Sequence, residues 1–484
     1  MKITSIRRYV SDWSWRFIPI LIVIGLVSLV LAKEIVTPQM RLIKFSVVIA
    51  ILTLMFRFEM LYSLYLFIFL FPFPSSISIG STNSILMTLI VLIWFVRANS
   101  EKANVFIRTD IDKLVILLLG AYVMSLFNVE SFAIVKKSLV IIWKQVSAFA
   151  LFYLIVRFIT DERKLLNITQ IITFAAGLTF LTGVIEIFLP GKDIIPGWIS
   201  VKGLGVSHLS RYGGVGGRIG GALGTEMLSD FAAITLFFVA FHFIRAINPI
   251  TKLMWFLVSA MTVVSMLGTA NRGALMGLML GLIYFLFIFR KKLSLAKIVS
   301  VVTVCAALFI AANLFLQEFT LIAPVTERFA GTEFKGVVPD TRVGVWGPAL
   351  EKSMDHILFG HGPPYEHGQQ GTPDFWPHNA YIFYLFTLGL LGVSAFLLIA
   401  YRIIKLSLCY KNKYVWRTPL GNLAAILHIQ IIVLLFLQLR TDHQREDIYL
   451  YIIWMFFGLV VATSNVIKRK AEHLMALEES ASTD

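Results

Sequence analysis

The chain has 484 residues, 58% of them hydrophobic and only 15% charged, with a mean hydropathy of +0.81. Soluble domains carry nearer ~25% charged residues, so a soluble globular protein is excluded. The formal net charge is +15, but the basic residues are dispersed between long apolar runs and collect on no polar domain, which favours membrane topology over nucleic-acid binding. Cys305 and Cys409 are the only cysteines, leaving neither a disulfide framework nor a CxxC metal site.

The N-terminal MKITSIRRYVSDWSWR precedes an apolar stretch over 17–32, and the KEIVTPQM that follows lacks the small-residue cleavage site of a signal peptide. Since about 20 apolar residues cross a bilayer, spans are expected near 17–32, 42–56, 59–73, 84–96, 114–127, 138–156, 166–189, 222–244, 253–270, 273–289, 295–316, 379–401, 418–439 and 447–466. The second, third and fourth are short, so that tilted or re-entrant segments are alternatives there. The runs are continuous and show no barrel alternation, so the predicted fold class is all-α: a polytopic integral membrane helical bundle of about 12–14 transmembrane helices. Asn271 with Gly273 supplies tight-turn chemistry between the ninth and tenth spans.

This divides the chain into an N-terminal bundle (1–189), a Gly-rich loop (190–221), central spans (222–316), a long loop (317–378), C-terminal spans (379–467) and a charged tail (468–484). Most Lys and Arg fall on the side shared with the N-terminus, so both termini are expected to be cytoplasmic and both long loops external. Loops of that length in a chain otherwise joined by short connections are where function is expected.

The first loop clusters glycines around Arg211 and Arg218, a composition that either wraps backbone N–H groups around phosphate oxygens or serves as a flexible connection. Its spacing fits neither a Rossmann nor a Walker motif. The second loop is expected to hold short helices near 341–355, then a Gly/Pro-rich stretch from Gly360 to Pro377. It ends on His378 and Asn379 at the first turn of the twelfth span, where an imidazole either meets a lipid-linked substrate or caps and packs. Arg342 stands in DTRVGVW and Arg272 in TANRGAL. An arginine at a membrane edge snorkels or has an anionic partner, and for Arg342 a salt bridge to Asp340, Glu351 or Asp355 is the plain alternative.

Arg342 through Trp346, then DHILFGHG, PHNAY and the LGLLG of the next span resemble the O-antigen ligase family of bacterial envelope glycosyltransferases, which includes O-antigen and exopolysaccharide polymerases. TANRGAL fits the segment preceding the long loop, so the resemblance extends over roughly residues 200–400. It implies a GT-C class transferase in the bacterial inner membrane that moves a glycan from undecaprenyl pyrophosphate to an acceptor hydroxyl on the periplasmic face. The family's loop histidine falls on His378, as general base or orienter of the acceptor hydroxyl, and its two key arginines fall on Arg272 and Arg342. Arg211 or Arg218 is a further phosphate contact under this reading, and Asn379 adjoins the histidine.

The chemistry is consistent with those residue types. A diphosphate leaving group needs charge neutralisation, and guanidinium forks match its oxygens bidentately. Two arginines stand where other transferases use a metal, and the outer loops carry no DxD carboxylate pair, so no metal or cofactor is expected. Trp346, Phe375, Trp376 and Tyr381 either stack on sugars or anchor the helices at the interface. A zinc site from His356, His361, His367 and His378 is a competing reading whose spacings fit no standard motif. Ligase and polymerase share the donor and differ in the acceptor, a lipid A-core sugar or a second lipid-linked repeat, and family resemblance favours the ligase. A flippase with Lys144 or Glu186 on a translocation path is the reading from another class, against which the one-sided loops and the lack of an internal repeat argue.

Overall fold

The structure is a computed structural model and describes residues 59–73, 76–77, 80–101, 107–129, 131–188, 218–290, 295–318, 334–335, 338–364 and 377–483. The expected spans near 17–32 and 42–56 lie outside the described residues. From residue 60 onward the chain forms one compact unit. Its helices in chain order are α1 Met60–Leu70, α2 Thr82–Ser100, α3 Asp112–Ser125, α4 Phe132–Phe158, α5 Glu162–Phe188, α6 Thr225–Arg245, α7 Pro249–Gly268, α8 Arg272–Phe289, α9 Leu295–Gln317, α10 Asp340–Ser353, α11 Ala380–Ser407, α12 Pro419–Leu437 and α13 Asp447–Thr483. The only strands among the described residues are two antiparallel ladders of two residues each side, one leading into α2 and one into α10. Nine of these helices are long and apolar enough to cross a membrane. Every span expected between 59 and 466 coincides with one helix, and α13 runs on through the charged tail to Thr483.

Helix starts are set by local chemistry. Asn248 caps α7 by accepting from the Ile250 N–H at 2.9 Å, with Pro249 at the first helical position. Thr418 caps α12 from the Gly421 N–H at 3.2 Å, again with a proline following. The core lies around α6, α12 and α13, whose spans are buried to 78%, 78% and 89%, against 39% for α2, α7 and α8. Helix α13 packs along α4, where Trp454 meets Phe149 edge-on at 4.4 Å between ring centroids.

Helix α11 is broken at Gly389, which has φ 66° and ψ −166°. That conformation is essentially restricted to glycine. The break frees two carbonyls and two N–H groups, and the stretch 357–362 takes all four. His361 and Gly362 donate their N–H groups to the carbonyls of Phe386 (2.9 Å) and Thr387 (3.1 Å), while Leu390 and Leu391 donate to those of Ile357 (2.8 Å) and Leu358 (3.2 Å). Gly360, at φ 70°, lies so close to Thr387 that a Cβ would overlap its backbone. The His361 ring stacks on Phe386 at 4.4 Å, its Nε2 donates to the Lys352 carbonyl at 2.8 Å, and Asn128 Nδ2 donates to the Gly360 carbonyl at 2.6 Å. DHILFGHG and LGLLG are thus two halves of one docking joint.

Candidate functional site

Four chain segments meet at the site: the first turns of α6, the turn from α7 to α8, the start of α11, and the turn from α12 to α13. On α6, Glu226, Ser229 and Asp230 are spaced i, i+3 and i+4, which places them on one helix face. Each holds a different neighbour. Ser229 Oγ accepts from Asn271 Nδ2 at 2.7 Å, fixing the residue that precedes α8. Asp230, fully buried, forms an ion pair with Arg440 and accepts from the Tyr449 hydroxyl at 3.2 Å. Glu226 Oε2 lies 3.1 Å from His443 Nε2.

The turn 438–446 is itself cross-tied. Gln438 Nε2 donates to the Tyr449 hydroxyl at 3.0 Å, Gln444 Nε2 donates to Gln438 Oε1, and the Gln438 carbonyl accepts the Ala380 N–H at 2.8 Å. Burial draws the Arg440 guanidinium down from its ordinary pKa while Glu226 opposes the shift, and a guanidinium remains charged regardless.

His378 is one of two non-glycine residues with positive φ among those described, at 45°; the other, Ala270 at 47°, lies two residues before Arg272. Such backbone is uncommon outside glycine and is held only where its surroundings fix it. For His378 the fixing groups are evident. Its N–H donates to Asp442 Oδ2 at 3.2 Å, and Asn379 caps α11 by accepting from the N–H groups of Tyr381 (3.0 Å) and Ile382 (3.2 Å). The imidazole Nδ1 lies 3.8 Å from Asp442 Oδ1, with 34% of the His378 side chain exposed and Asp442 fully buried. With Nδ1 toward the carboxylate, Nε2 is the ring atom farther from it. A buried carboxylate thus stands behind a part-exposed imidazole at ion-pair distance.

The structure brings several of the expected residues to this one region. Arg272 opens α8, half-buried, immediately before Gly273, over which Arg440 passes; a Cβ at Gly273 would overlap Arg440 Cδ and Nε. The sequence reading of Gly273 as a turn residue is therefore corrected: it is a helix position that leaves room for a neighbouring side chain. Arg218 Nε donates to the Thr269 carbonyl at 2.7 Å, three residues before Arg272. Trp346 Nε1 donates to the Pro377 carbonyl at 2.7 Å, tying α10 to the residue before His378, and Arg342 stands one turn earlier in α10. The side chain of Arg342, and all of Arg211, Phe375, Trp376 and His367, fall outside the described residues. Asp355, one suggested partner for Arg342, pairs with Lys352 at 3.2 Å. The Tyr381 hydroxyl is engaged by the Leu435 carbonyl at 3.0 Å, and Glu186 by the N–H groups of Gly220 (2.8 Å) and Gly221 (2.9 Å).

Glu226, Asp230, Arg440, Asp442 and His443 were not reached from the sequence. The available signal was ionisable side chains at the start of an apolar span, at 226 and 230, and the polar run TDHQRED between the last two spans.

The O-antigen ligase family matches residues 256–397, which run from α7 through the first part of α11 and include Arg272, Arg342 and His378. No curated protein matches the chain.

Proposed function

We propose that this multi-span membrane chain, whose residues 256–397 match the O-antigen ligase family, transfers a glycan from undecaprenyl pyrophosphate to an acceptor hydroxyl on the periplasmic face of the inner membrane, both termini being cytoplasmic. The acceptor is a lipid A-core sugar, as the ligase description favours over a second lipid-linked repeat. The acceptor oxygen attacks the anomeric carbon as the bond from that carbon to the diphosphate oxygen breaks, inverting the configuration. His378 takes the hydroxyl proton, and the polyprenyl diphosphate leaves with its charge held by Arg272 and Arg342. Asp442 orients the imidazole and stabilises it once protonated. Arg211 or Arg218 supplies a further contact to the donor diphosphate, and Trp346 and Asn379 hold the approach to His378.

The observation that supports this reading is that Gly273, the neighbour of Arg272, and His378, more than one hundred residues away in sequence, both touch the single turn 438–446: Arg440 lies across Gly273 and Asp442 accepts the His378 N–H. Reconstituted transfer with purified donor and acceptor tests it. Loss of product in His378→Ala and Arg342→Ala is expected, and normal transfer by either variant overturns the role assigned to it. Chain lengthening with donor alone identifies a polymerase, and a change in substrate sidedness without a new glycosidic bond identifies a flippase.

A further inference from the structure

We infer that Asp230 and Arg440 are positioning residues: their buried ion pair sets the relative placement of the helix starts that carry Arg272 and His378. This rests on the transferase reading for its catalytic consequence, though its geometric content does not. Asp230 has no exposed surface, and both its carboxylate oxygens are used, one by Arg440 and one by the Tyr449 hydroxyl. Arg440 thereby stays inside the protein, where its side chain lies across Gly273. Any side chain at 273 displaces either Arg440 or the first turn of α8, and Arg272 is the adjoining residue.

The same turn reaches the other catalytic element. Two residues before Arg440, the Gln438 carbonyl holds the Ala380 N–H; two residues after it, Asp442 holds the His378 N–H. A shift of Arg440 is therefore transmitted in both directions, to α8 through Gly273 and to α11 through Gln438 and Asp442. Ser229, one residue before Asp230, holds Asn271, so α6 fixes the start of α8 twice. Bound reactants tolerate little displacement: a misplacement of about 1 Å can cost roughly 100-fold in rate.

Gly273→Ala and Asp230→Asn test this. Alanine suits a helix better than glycine, so any harm from Gly273→Ala arises from its contact with Arg440. Each purified variant is compared with wild type by hydrogen exchange over 270–275 and 378–383, and by kcat and donor KM in reconstituted transfer. The expected result is exchange about tenfold faster in both segments, although Gly273→Ala alters only the first. The kcat should fall roughly 100-fold while donor KM changes little. Wild-type exchange over 378–383 in both folded variants overturns the coupling. A raised donor KM with unchanged kcat also overturns it, showing that Arg440 contacts the donor directly. If wild-type protein makes no glycosidic bond, the transferase reading fails alone, and the exchange data still decide the coupling. Should Gly273→Ala not fold, Asp230→Asn carries both measurements.

Discussion

Gly389→Ala tests how the long loop is held against the membrane helices. In an unbroken α11, Leu390 would donate to Phe386 and Leu391 to Thr387, the ordinary i to i−4 bonds. The broken helix gives up those two and gains four bonds to 357–362. With a net value of about 0.5–1.5 kcal/mol per bond, the two additional bonds favour docking by about 1–3 kcal/mol, assisted by the His361–Phe386 stack and the Asn128 contact. Alanine at 389 works against this in two ways. The φ 66°, ψ −166° conformation costs a side-chain-bearing residue about 1–3 kcal/mol, and alanine favours the continuous helix over glycine by about 1 kcal/mol. The sum, about 2–4 kcal/mol, matches or exceeds the net bonding gain before the overlap of the new Cβ with the Leu358 backbone is counted. The expected result is a straightened α11 with 357–362 released. Hydrogen exchange resolves this, because the His361 and Gly362 amides lose protection while those of Leu390 and Leu391 keep it through restored helical bonds. Wild-type protection at 361 and 362 in Gly389→Ala would refute the exchange of two bonds for four.

Four further outcomes follow from the contacts of single side chains. His378→Ala lowers transfer about 100- to 10,000-fold, the usual worth of a general base, with little change in Tm because the ring is part-exposed; Asp442→Asn lowers kcat and alters its pH profile, and an unaltered profile counts against the carboxylate's role. Burial lowers the pKa of His361, the Lys352 carbonyl and Asp355 opposing and His356 adding to the shift. Released, this ring takes up protons below about pH 6.5 more readily than docked, so docking is fully present above that value and weakens by at most about 1.4 kcal/mol per pH unit below it. Amide protection at 361 and 362, corrected for intrinsic rates, should fall between pH 7.5 and 5.5, and a flat profile refutes the assignment. Glu186→Ala removes the acceptor of two backbone N–H groups, each bond to a charged group being worth about 1.5–3 kcal/mol; the detergent-solubilised protein should melt lower, and an unchanged Tm refutes an anchoring role.

The spans were legible because hydropathy is local: a continuous apolar run has one fate in a bilayer, and each described helix from 60 onward other than α10 stands where such a run predicted it. PHN was legible only in part: the sequence places His378 and Asn379 in the first turn of the span, whereas Asn379 caps α11 from just outside it and His378 stands before the cap at positive φ. What was not legible depends on partners distant in sequence. Gly389 inside LGLLG reads as apolar helix until the stretch 357–362 is laid against it, and Gly273 reads as a turn residue until Arg440 occupies the space above it. TDHQRED reads as a plain connector because it is short, yet its side chains reach Glu226 on α6, through His443, and the His378 N–H just before α11, through Asp442.

The Asp230–Arg440 pair shows why such a connector carries function and not merely stability. Burying a charge pair is a poor way to stabilise a fold: apolar residues of similar volume often serve as well or better, whereas removing one partner leaves an uncompensated charge at about 3–5 kcal/mol. An apolar pair could not also hold the Tyr449 hydroxyl against Asp230 Oδ2 or keep a guanidinium lying over Gly273. Charge pairing supplies direction where apolar contact supplies only proximity. That direction is delivered to two helix starts, one opening with Arg272 and one following His378, which a transferase acting at a diphosphate and a hydroxyl together must keep in register.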